Sequence, residues 1–235
     1  MRPFFMNKEN LAVIIGGTGA IGNAIAIEIG KLGFKEILKI GTKTNPSIDF
    51  NDESTIIKTA EFIKKKNKPI SILFDATGIL HHENSMPEKT LKSIDIDFAK
   101  KNFLINSIGP ALLIKHFSAL LDSENKSVFA TLSAKVGSIS DNGYGGWYSY
   151  RASKAALNQL IKTASIEMKV KNKKAVFLAL HPGTVKSNLS QPFQKANLKI
   201  QEPEESAKHL VKILDSVDQS QTGKFFNWDG SELPW

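Results

Sequence analysis

Tyr150 and Lys154 lie four residues apart in the stretch Tyr-Arg-Ala-Ser-Lys. On a helix, this spacing puts both side chains on one face. A tyrosine ordinarily ionises at about pH 10, and a neighbouring ammonium group favours the phenolate, which brings proton exchange closer to neutral pH. The pair therefore predicts acid–base chemistry at Tyr150 with Lys154 as its tuning charge, although a lysine-rich chain also produces this spacing by chance.

A second set of residues could hold a phosphorylated ligand. Glycines at 16, 19 and 22 follow an apolar run at 11–15 and open a helical pattern. Glycine lets the backbone turn sharply beside a pyrophosphate, whose charge is stabilised by the amides and dipole of the helix N-terminus. The loop predicts a dinucleotide site over a purely structural turn. Its predicted contacts are Gly16, Thr18, Gly19, Ala20, Ile21 and Gly22.

The end of the second apolar run bears on the choice of dinucleotide. Sites for NAD usually carry an Asp or Glu about 20 residues beyond the loop, whereas this chain has Gly-Thr-Lys-Thr at 41–44. Lys43 and the hydroxyls of Thr42 and Thr44 could hold a 2′-phosphate that an acidic residue would repel, so we predict NADP(H), with NAD(H) as the alternative. Lys43 could equally be an ordinary loop lysine. Asp49, with its neighbour Phe50, is predicted to meet the adenine, unless Asp49 caps the next helix.

Alternating elements must position these residues. Apolar runs predict strands at 11–15, 37–40, 48–50, 70–74, 128–132, 175–180 and 225–228, and helical patterns begin at Ile21 and cover 53–66, 98–121, 150–170 and 203–217. This alternation predicts an α/β fold, a single doubly wound parallel sheet of the Rossmann type. Residues 41–47 are too few for a helical crossover, so we expect a shortened connection there, between strands 2 and 3.

Length and composition limit the classes of protein to consider. The chain has 235 residues, 41% hydrophobic and 23% charged, with no cysteine. We expect one soluble domain over residues 1–235 in the reducing cytoplasm, with no membrane span and no metal site. The net charge is +8, but the lysine runs at 64–66 and 169–174 end predicted helices, where cations are favoured. We therefore expect no nucleic-acid partner.

The order of four further motifs along the chain bears on the class of protein. Asp75-Ala-Thr-Gly78 follows the fourth predicted strand, Asn-Ser-Ile-Gly lies at 106–109, Ser-Ala-Lys-Val-Gly at 133–137, and Pro-Gly-Thr-Val at 182–185. With the glycine loop and the Tyr150–Lys154 pair, this order resembles the short-chain dehydrogenase/reductase family over nearly the whole chain. The segment at 137–142 and the Trp-rich ending are most similar to its carbonyl-reductase and C-signal-like branch.

The resemblance implies a role for each residue. Tyr150 would protonate a carbonyl, or act as base in reverse, while Lys154 binds the nicotinamide ribose and tunes Tyr150. Asn106 would hold a water in the proton relay, and Ser133, with Ser138 as the alternative, would polarise the substrate oxygen. Further implied cofactor contacts are Ala76, Thr77, Gly78, Pro182, Gly183, Val185 and Ser187. A small carbonyl or alcohol substrate, an apolar substrate loop with Leu189, Phe193 and Leu198, and a homodimer or homotetramer are also implied.

The chain departs from the family pattern in two places. The family commonly has a serine three residues before the glycine matched by Gly137, where this chain has Ala134. A cofactor-binding regulatory or signalling protein without turnover is therefore a second hypothesis. The glycine spacing also resembles larger epimerase-like members, but the roughly fifty residues after Val185 are too few for their substrate domain.

Overall fold

The computed structural model describes residues 5–82, 85–193 and 200–235. Its strands are β1 (Leu11–Ile15), β2 (Glu36–Ile40), β3 (Ile70–Asp75), β4 (Ser127–Leu132), β5 (Ala175–His181), β6 (Thr184–Val185), β7 (Ile200–Gln201) and β8 (Lys224–Asn227). Its α-helices are α1 (Ala20–Lys31), α2 (Glu53–Lys64), α3 (Ile96–Phe103), α4 (Gly109–Phe117), α5 (Tyr148–Lys171) and α6 (Pro203–Ser216).

Six strands form one parallel sheet in the order β2-β1-β3-β4-β5-β8. β1, β3 and β4 are buried at every position, as is expected of strands covered on both faces. The chain moves outward from β1 to β2 and then returns to β3 on the other side of β1. Ligands of such sheets bind outside the carboxyl ends of the strands where this reversal occurs. The predicted doubly wound fold is confirmed.

Alternate side chains of each strand point into two apolar layers, one on each face of the sheet. Ala12 and Ile14 of β1 face the layer beneath α1 and α6, whereas Leu11, Val13 and Ile15 face the layer beneath α2, α4 and α5. This division follows from the two-residue period of a strand. The two layers fix both faces of the sheet, so its carboxyl edge is a rigid base for the loops.

One predicted strand was wrong. Residues 48–50 join no ladder, and Asp49 makes only an isolated bridge to Asp52. The Asp49 carboxylate accepts the N–H of Asn51 at 2.9 Å, and the side chain of Asp52 caps α2 by accepting the N–H of Ser54. These local bonds turn the chain directly into the helix instead of along a neighbouring strand. The predicted shortened connection between strands 2 and 3 was therefore also wrong: the chain after β2 leads into α2, and β2 and β3 are joined by a full helical crossover.

The predicted middle helix at 98–121 is divided. A π-helical turn, Leu104–Ile108, separates α3 from α4, and a 3₁₀ turn follows α4. Pro110 has no N–H to donate four residues back, to the carbonyl of Asn106, which interrupts the regular ladder at this point. The widened turn contains Asn106, and such turns often occur at functional sites.

The continuous helical stretch Ile96–Leu120 is long and apolar enough to cross a membrane, with a mean hydropathy of 1.3. Length and composition alone are weak support for a span, because core helices of soluble proteins meet the same criteria. In this fold the stretch packs against α2 and α5. We therefore interpret it as a packed element of the domain.

Candidate active site

Two cavities lie side by side at the carboxyl ends of the central strands. The first, of about 720 Å³, is bordered by the glycine loop, and the second, of about 410 Å³, is bordered by Tyr150. Ile21, Ser187 and Leu189 line both cavities. The arrangement provides a crevice for a large ligand next to a pocket for a smaller one.

The glycine loop is built by close backbone approach. Gly16 has a φ of +73°, and a Cβ on Gly22 would fall far inside contact distance of the Gly16 carbonyl oxygen. Gly19 stands at the N-cap of α1 without a capping side chain. The first amides of a helix have no partner within it, and Ala20, Ile21 and Gly22 border the first cavity. This cradle fits a phosphorylated ligand.

The predicted adenosine contacts lie beyond β2. Thr42, Lys43 and Asp49 are exposed, and a Cβ on Gly41 would lie 2.8 Å from the Thr18 hydroxyl oxygen, so this segment adjoins the glycine loop. The hydrogen bond from the Asn51 N–H is the main cause that lowers the pKa of Asp49. The Phe50 ring is buried and packed against Gly109. Phe50 can therefore offer a ligand its backbone, not its ring.

Asn106 joins the segment after β3 to α5. Its Oδ1 accepts the N–H of Ile79 at 2.8 Å, and its Nδ2 donates to the Ile79 carbonyl oxygen at 3.0 Å and to the Ser153 hydroxyl oxygen at 3.1 Å. Gly78 lies beside it, where a Cβ would be 3.4 Å from both Asn106 Oδ1 and Lys154 Nζ. Asn106 is fully buried, so these bonds fix the position of the main chain near Lys154.

Tyr150 and Lys154 share one face of α5. Lys154 Nζ lies 6.0 Å from the centre of the Tyr150 ring and donates to the Leu132 carbonyl oxygen at 2.8 Å. Burial raises the pKa of Tyr150 well above its ordinary value. In the protein by itself, burial outweighs the predicted lowering of that pKa by Lys154, whose Nζ is turned to the Leu132 carbonyl oxygen. Tyr150 is therefore held as the neutral phenol.

The positive charge of Lys154 is supported by the buried carboxylate of Asp75. Asp75 begins the motif at 75–78 and had no predicted role. Burial lowers the pKa of Lys154 to about 8, and the charge of Asp75 opposes that shift. Burial also raises the pKa of Asp75. Its oxygens accept the Thr77 N–H at 3.0 Å, the Thr77 hydroxyl at 2.6 Å and the Thr131 hydroxyl at 2.7 Å, which favour the ionised form.

The two candidate serines occupy different places. Ser133 lines the second cavity with Tyr150, whereas Ser138 is buried, accepts the Asp141 N–H at 3.1 Å and does not border that cavity. The Ser133 hydroxyl donates to Asn158 Oδ1 at 2.6 Å. Its single hydrogen must turn from Asn158 before it can bond to a substrate oxygen. Asn158 was missed, although it stands four residues after Lys154, on the same face of α5.

The second cavity has mainly apolar walls. Leu80, Val136, Trp147, Leu189 and Phe193 pack around Tyr150. The Trp147 ring lies 5.1 Å from that of Phe193 and 6.1 Å from that of Tyr150, edge to face in both cases. Leu189 and Phe193 line the cavity as predicted, while Leu198 lies outside the described residues. The pocket suits an apolar body larger than a few atoms.

The segment after β5 closes the other side of the second cavity. Pro182, Gly183 and Val185 line this cavity, and Ser187 borders both. Gly183 has a φ of +79°, and a Cβ there would collide with the Gln201 side chain. Sequence reasoning missed His181, which also lines the cavity; within the described ranges its buried Nδ1 has no hydrogen-bond partner, and burial lowers its pKa to about 4.

No group of three or more His, Cys, Asp or Glu residues that could hold a metal ion occurs within the described ranges. Of the predicted catalytic residues, Tyr150 and Ser133 line the second cavity, where each has a hydroxyl that can donate a hydrogen bond to a substrate.

Comparison with known proteins identifies the class. The sequence pattern of the family described as short chain dehydrogenase matches residues 43–198. Because this match covers about two thirds of the chain, the protein belongs to that family and is an oxidoreductase.

Among individual relatives, C-signal agrees with the predicted resemblance to C-signal-like members of the family. The 1-hydroxy-2-glutathionyl-2-methyl-3-butene dehydrogenase of Rhodococcus sp. is 28% identical, over 85% of this chain and 84% of its own. C-signal of Myxococcus xanthus is 30% identical, over 60% of this chain and 82% of its own. The structure of NADPH-bound carbonyl reductase from chicken fatty liver has a TM-score of 0.84 at 20% identity, covering 98% and 99% of the two chains, and supports the fold.

Proposed function

We propose that this protein is an NADP(H)-dependent oxidoreductase that interconverts a carbonyl compound and its alcohol. The observation that carries the proposal is that Tyr150 lines the apolar cavity beside the glycine-loop crevice, while Lys154, on the same face of α5, lies next to Gly78 of that crevice. The names of two relatives, a carbonyl reductase bound to NADPH and a dehydrogenase, support the same reaction class.

The residues around the first cavity fit a dinucleotide. The amides at the start of α1 would hold the pyrophosphate, and Asp49 and the Phe50 backbone would adjoin the adenine. When bound, the nicotinamide supplies or accepts the hydride. The segment from Ala76 to Gly78 and the residues Pro182, Gly183, Val185 and Ser187 would orient it, with Lys154 on its ribose.

Lys43 favours NADP(H) over NAD(H). It and Thr42 are exposed after β2, and the preceding residue, Gly41, lies against Thr18 of the glycine loop. A 2′-phosphate would gain charge-assisted hydrogen bonds from this lysine. Neither Thr42 nor Lys43 carries a negative charge that would repel it.

Proton transfer follows from the state of Tyr150. Burial keeps its proton in place, so the phenol can donate to the oxygen of a carbonyl substrate as the carbon accepts a hydride. The phenolate that forms is stabilised by the positive charge of Lys154. Ser133 would donate a hydrogen bond to the same oxygen once its hydroxyl turns from Asn158. Asn106 would then hold a water that returns a proton to the site.

The first experiment is titration of the purified protein with NADPH and NADH, followed by a panel of aldehydes and ketones monitored at the nicotinamide absorbance. We expect tighter binding of NADPH and its oxidation by at least one apolar carbonyl compound. Binding of neither nucleotide would contradict the proposed cofactor site.

A second candidate is a cofactor-binding regulatory protein without turnover. Two observations favour it: the engaged hydrogen of Ser133 and the similarity to C-signal. Such a protein would bind NADPH but oxidise none of it across the panel. The Tyr150→Phe variant would then leave the protein's biological effect unchanged.

We also infer a homodimer or homotetramer assembled through α4 and α5. Ile166 and Val170 of α5 are 59% and 82% exposed, and a groove of about 420 Å³ lies between the two helices. Light scattering of the purified protein should give a mass two or four times the 25.9 kDa of one chain; a monomer at all concentrations would contradict the assembly.

A further inference from the structure

Glu88 is a buried carboxylate outside the predicted site. It is 3% exposed and, within the described ranges, forms no ion pair with a cationic side chain. Its carboxylate accepts the backbone N–H of Ser149 at 3.1 and 3.3 Å and, at short range, the Ser149 hydroxyl. Its backbone carbonyl accepts the N–H of Trp147 at 2.5 Å. Both partners stand at the beginning of α5.

The N-terminus of α5 has no capping side chain of its own. Its N-cap residue, Trp147, has a left-handed backbone with φ 53° and ψ 44° and provides no side-chain cap, and the first turn contains no acidic residue. By contrast, α2 and α3 are capped by their own aspartates, Asp52 and Asp95. A carboxylate at a helix N-terminus bonds orphan amides and complements the helix dipole. Glu88 does this for α5 from a distant segment.

The residues that Glu88 holds adjoin the reacting phenol. Ser149 immediately precedes Tyr150, and the Trp147 ring packs edge-on against Tyr150 and against Phe193 across the cavity. A shift of about 1 Å at a reacting group can reduce turnover by about 10². A change at Glu88 would therefore displace the proton donor and one wall of the pocket together.

We propose that Glu88 is a positioning residue: it caps α5 from outside the helix and so fixes Tyr150 and Trp147 against the substrate cavity. The inference rests on the proposed function, because it assigns Glu88 to the same reaction. It predicts that a substitution at Glu88 lowers kcat without weakening NADPH binding to the same extent.

The test compares three variants by kcat, KM, NADPH affinity and melting temperature. Glu88→Ala should lower kcat by about 10- to 100-fold with NADPH affinity nearly unchanged, because the glycine loop keeps its structure. Glu88→Gln keeps an oxygen for the Ser149 N–H and should recover most of that loss. Asp218→Ala is the control. It removes a cap from the short turn Gln219–Gln221, before β8 and away from the cavities, and should leave kcat unchanged.

A folded Glu88→Ala protein with the wild-type kcat would overturn the proposal, as would an equal loss of kcat in Asp218→Ala. If the wild-type protein oxidises no NADPH with any substrate, the proposed function fails and amide hydrogen exchange replaces the assay. Faster exchange at residues 147–150 in Glu88→Ala would then support the capping of α5 by Glu88, and unchanged exchange would refute it.

Discussion

The glycine loop beside the first cavity and the walls of the second cavity are built in different ways. The glycine loop belongs to one strand–turn–helix unit, where the absence of side chains at Gly16 and Gly22 lets backbone segments touch. The substrate cavity is lined by side chains from segments far apart in the chain, including Leu80, Tyr150 and Phe193. A site made of backbone is fixed by local sequence, whereas a site made of side chains depends on the residues that hold each segment in place.

The largest effect is expected at Lys154, which is buried on the same face of α5 as Tyr150. Lys154→Met should reduce kcat by about 10² or more, because the phenolate formed at Tyr150 would lose its compensating charge in a buried site. Steady-state reduction of a carbonyl substrate checks this. Lys169→Met, near the exposed end of the same helix, is the matched control. Equal activity of both variants would remove Lys154 from the mechanism.

The glycine loop gives the next largest effect. Gly22→Ala should cost about 1–3 kcal/mol of stability, because its Cβ would overlap the Gly16 carbonyl, and should weaken NADPH binding. Gly30→Ala is the matched control in the same helix. Its Cβ would meet only Ile37 Cδ1, at 3.5 Å, so we expect a gain of about 0.5–1 kcal/mol. Thermal unfolding and nucleotide titration distinguish the two, and similar stabilities would contradict the close approach.

Cofactor choice should change at Lys43. Lys43→Ala is expected to weaken NADPH binding about tenfold, or about 1.4 kcal/mol, and to leave NADH binding unchanged, because only the 2′-phosphate is lost as a partner. Lys35→Ala changes an exposed lysine at the other end of β2 and should alter neither affinity. A parallel loss for both nucleotides would contradict recognition of the phosphate.

The smallest expected effect is a change of pH dependence. The pKa of Lys154 is about 8, so kcat/KM for reduction should fall as pH rises through about 8 and the ammonium loses its proton. Asp75 raises that pKa. Asp75→Asn should therefore move the basic limb of the kcat/KM profile to lower pH. An unmoved limb, or one moved to higher pH, would show that Asp75 does not sustain the charge.

The sequence predicted the elements that follow simple periodicity. The strands ending near Ile15, Asp75 and Leu132 and the helix carrying Tyr150 are where the apolar patterns put them. The predicted strand at 48–50 failed because three apolar or short residues satisfy a strand pattern, while the Asp49–Asn51 and Asp52–Ser54 bonds that decide the turn are side-chain effects. Likewise, the π-helical turn at Asn106 has the same apolar pattern as a regular helix.

The partners of the catalytic residues could be predicted only in part. Asn158 follows Tyr150 and Lys154 at helical spacing, so its place on the same face was readable in the sequence. The contact of Glu88 with α5 could not be predicted from the sequence, because Glu88 and Ser149 are 61 residues apart in the chain. The raised pKa of Tyr150 was also beyond sequence reasoning, since burial by Trp147 and the surrounding loops determines it.

The most direct test of Tyr150 as the proton donor compares Tyr150→Phe with Tyr148→Phe, two residues earlier on α5 and outside the lining of either cavity. Each protein is mixed with NADPH and a carbonyl substrate, and the nicotinamide absorbance is followed. We predict that Tyr150→Phe binds NADPH like the wild type but loses about 10²- to 10⁴-fold in kcat, while Tyr148→Phe keeps the wild-type rate. Full activity of Tyr150→Phe would contradict the proposed role.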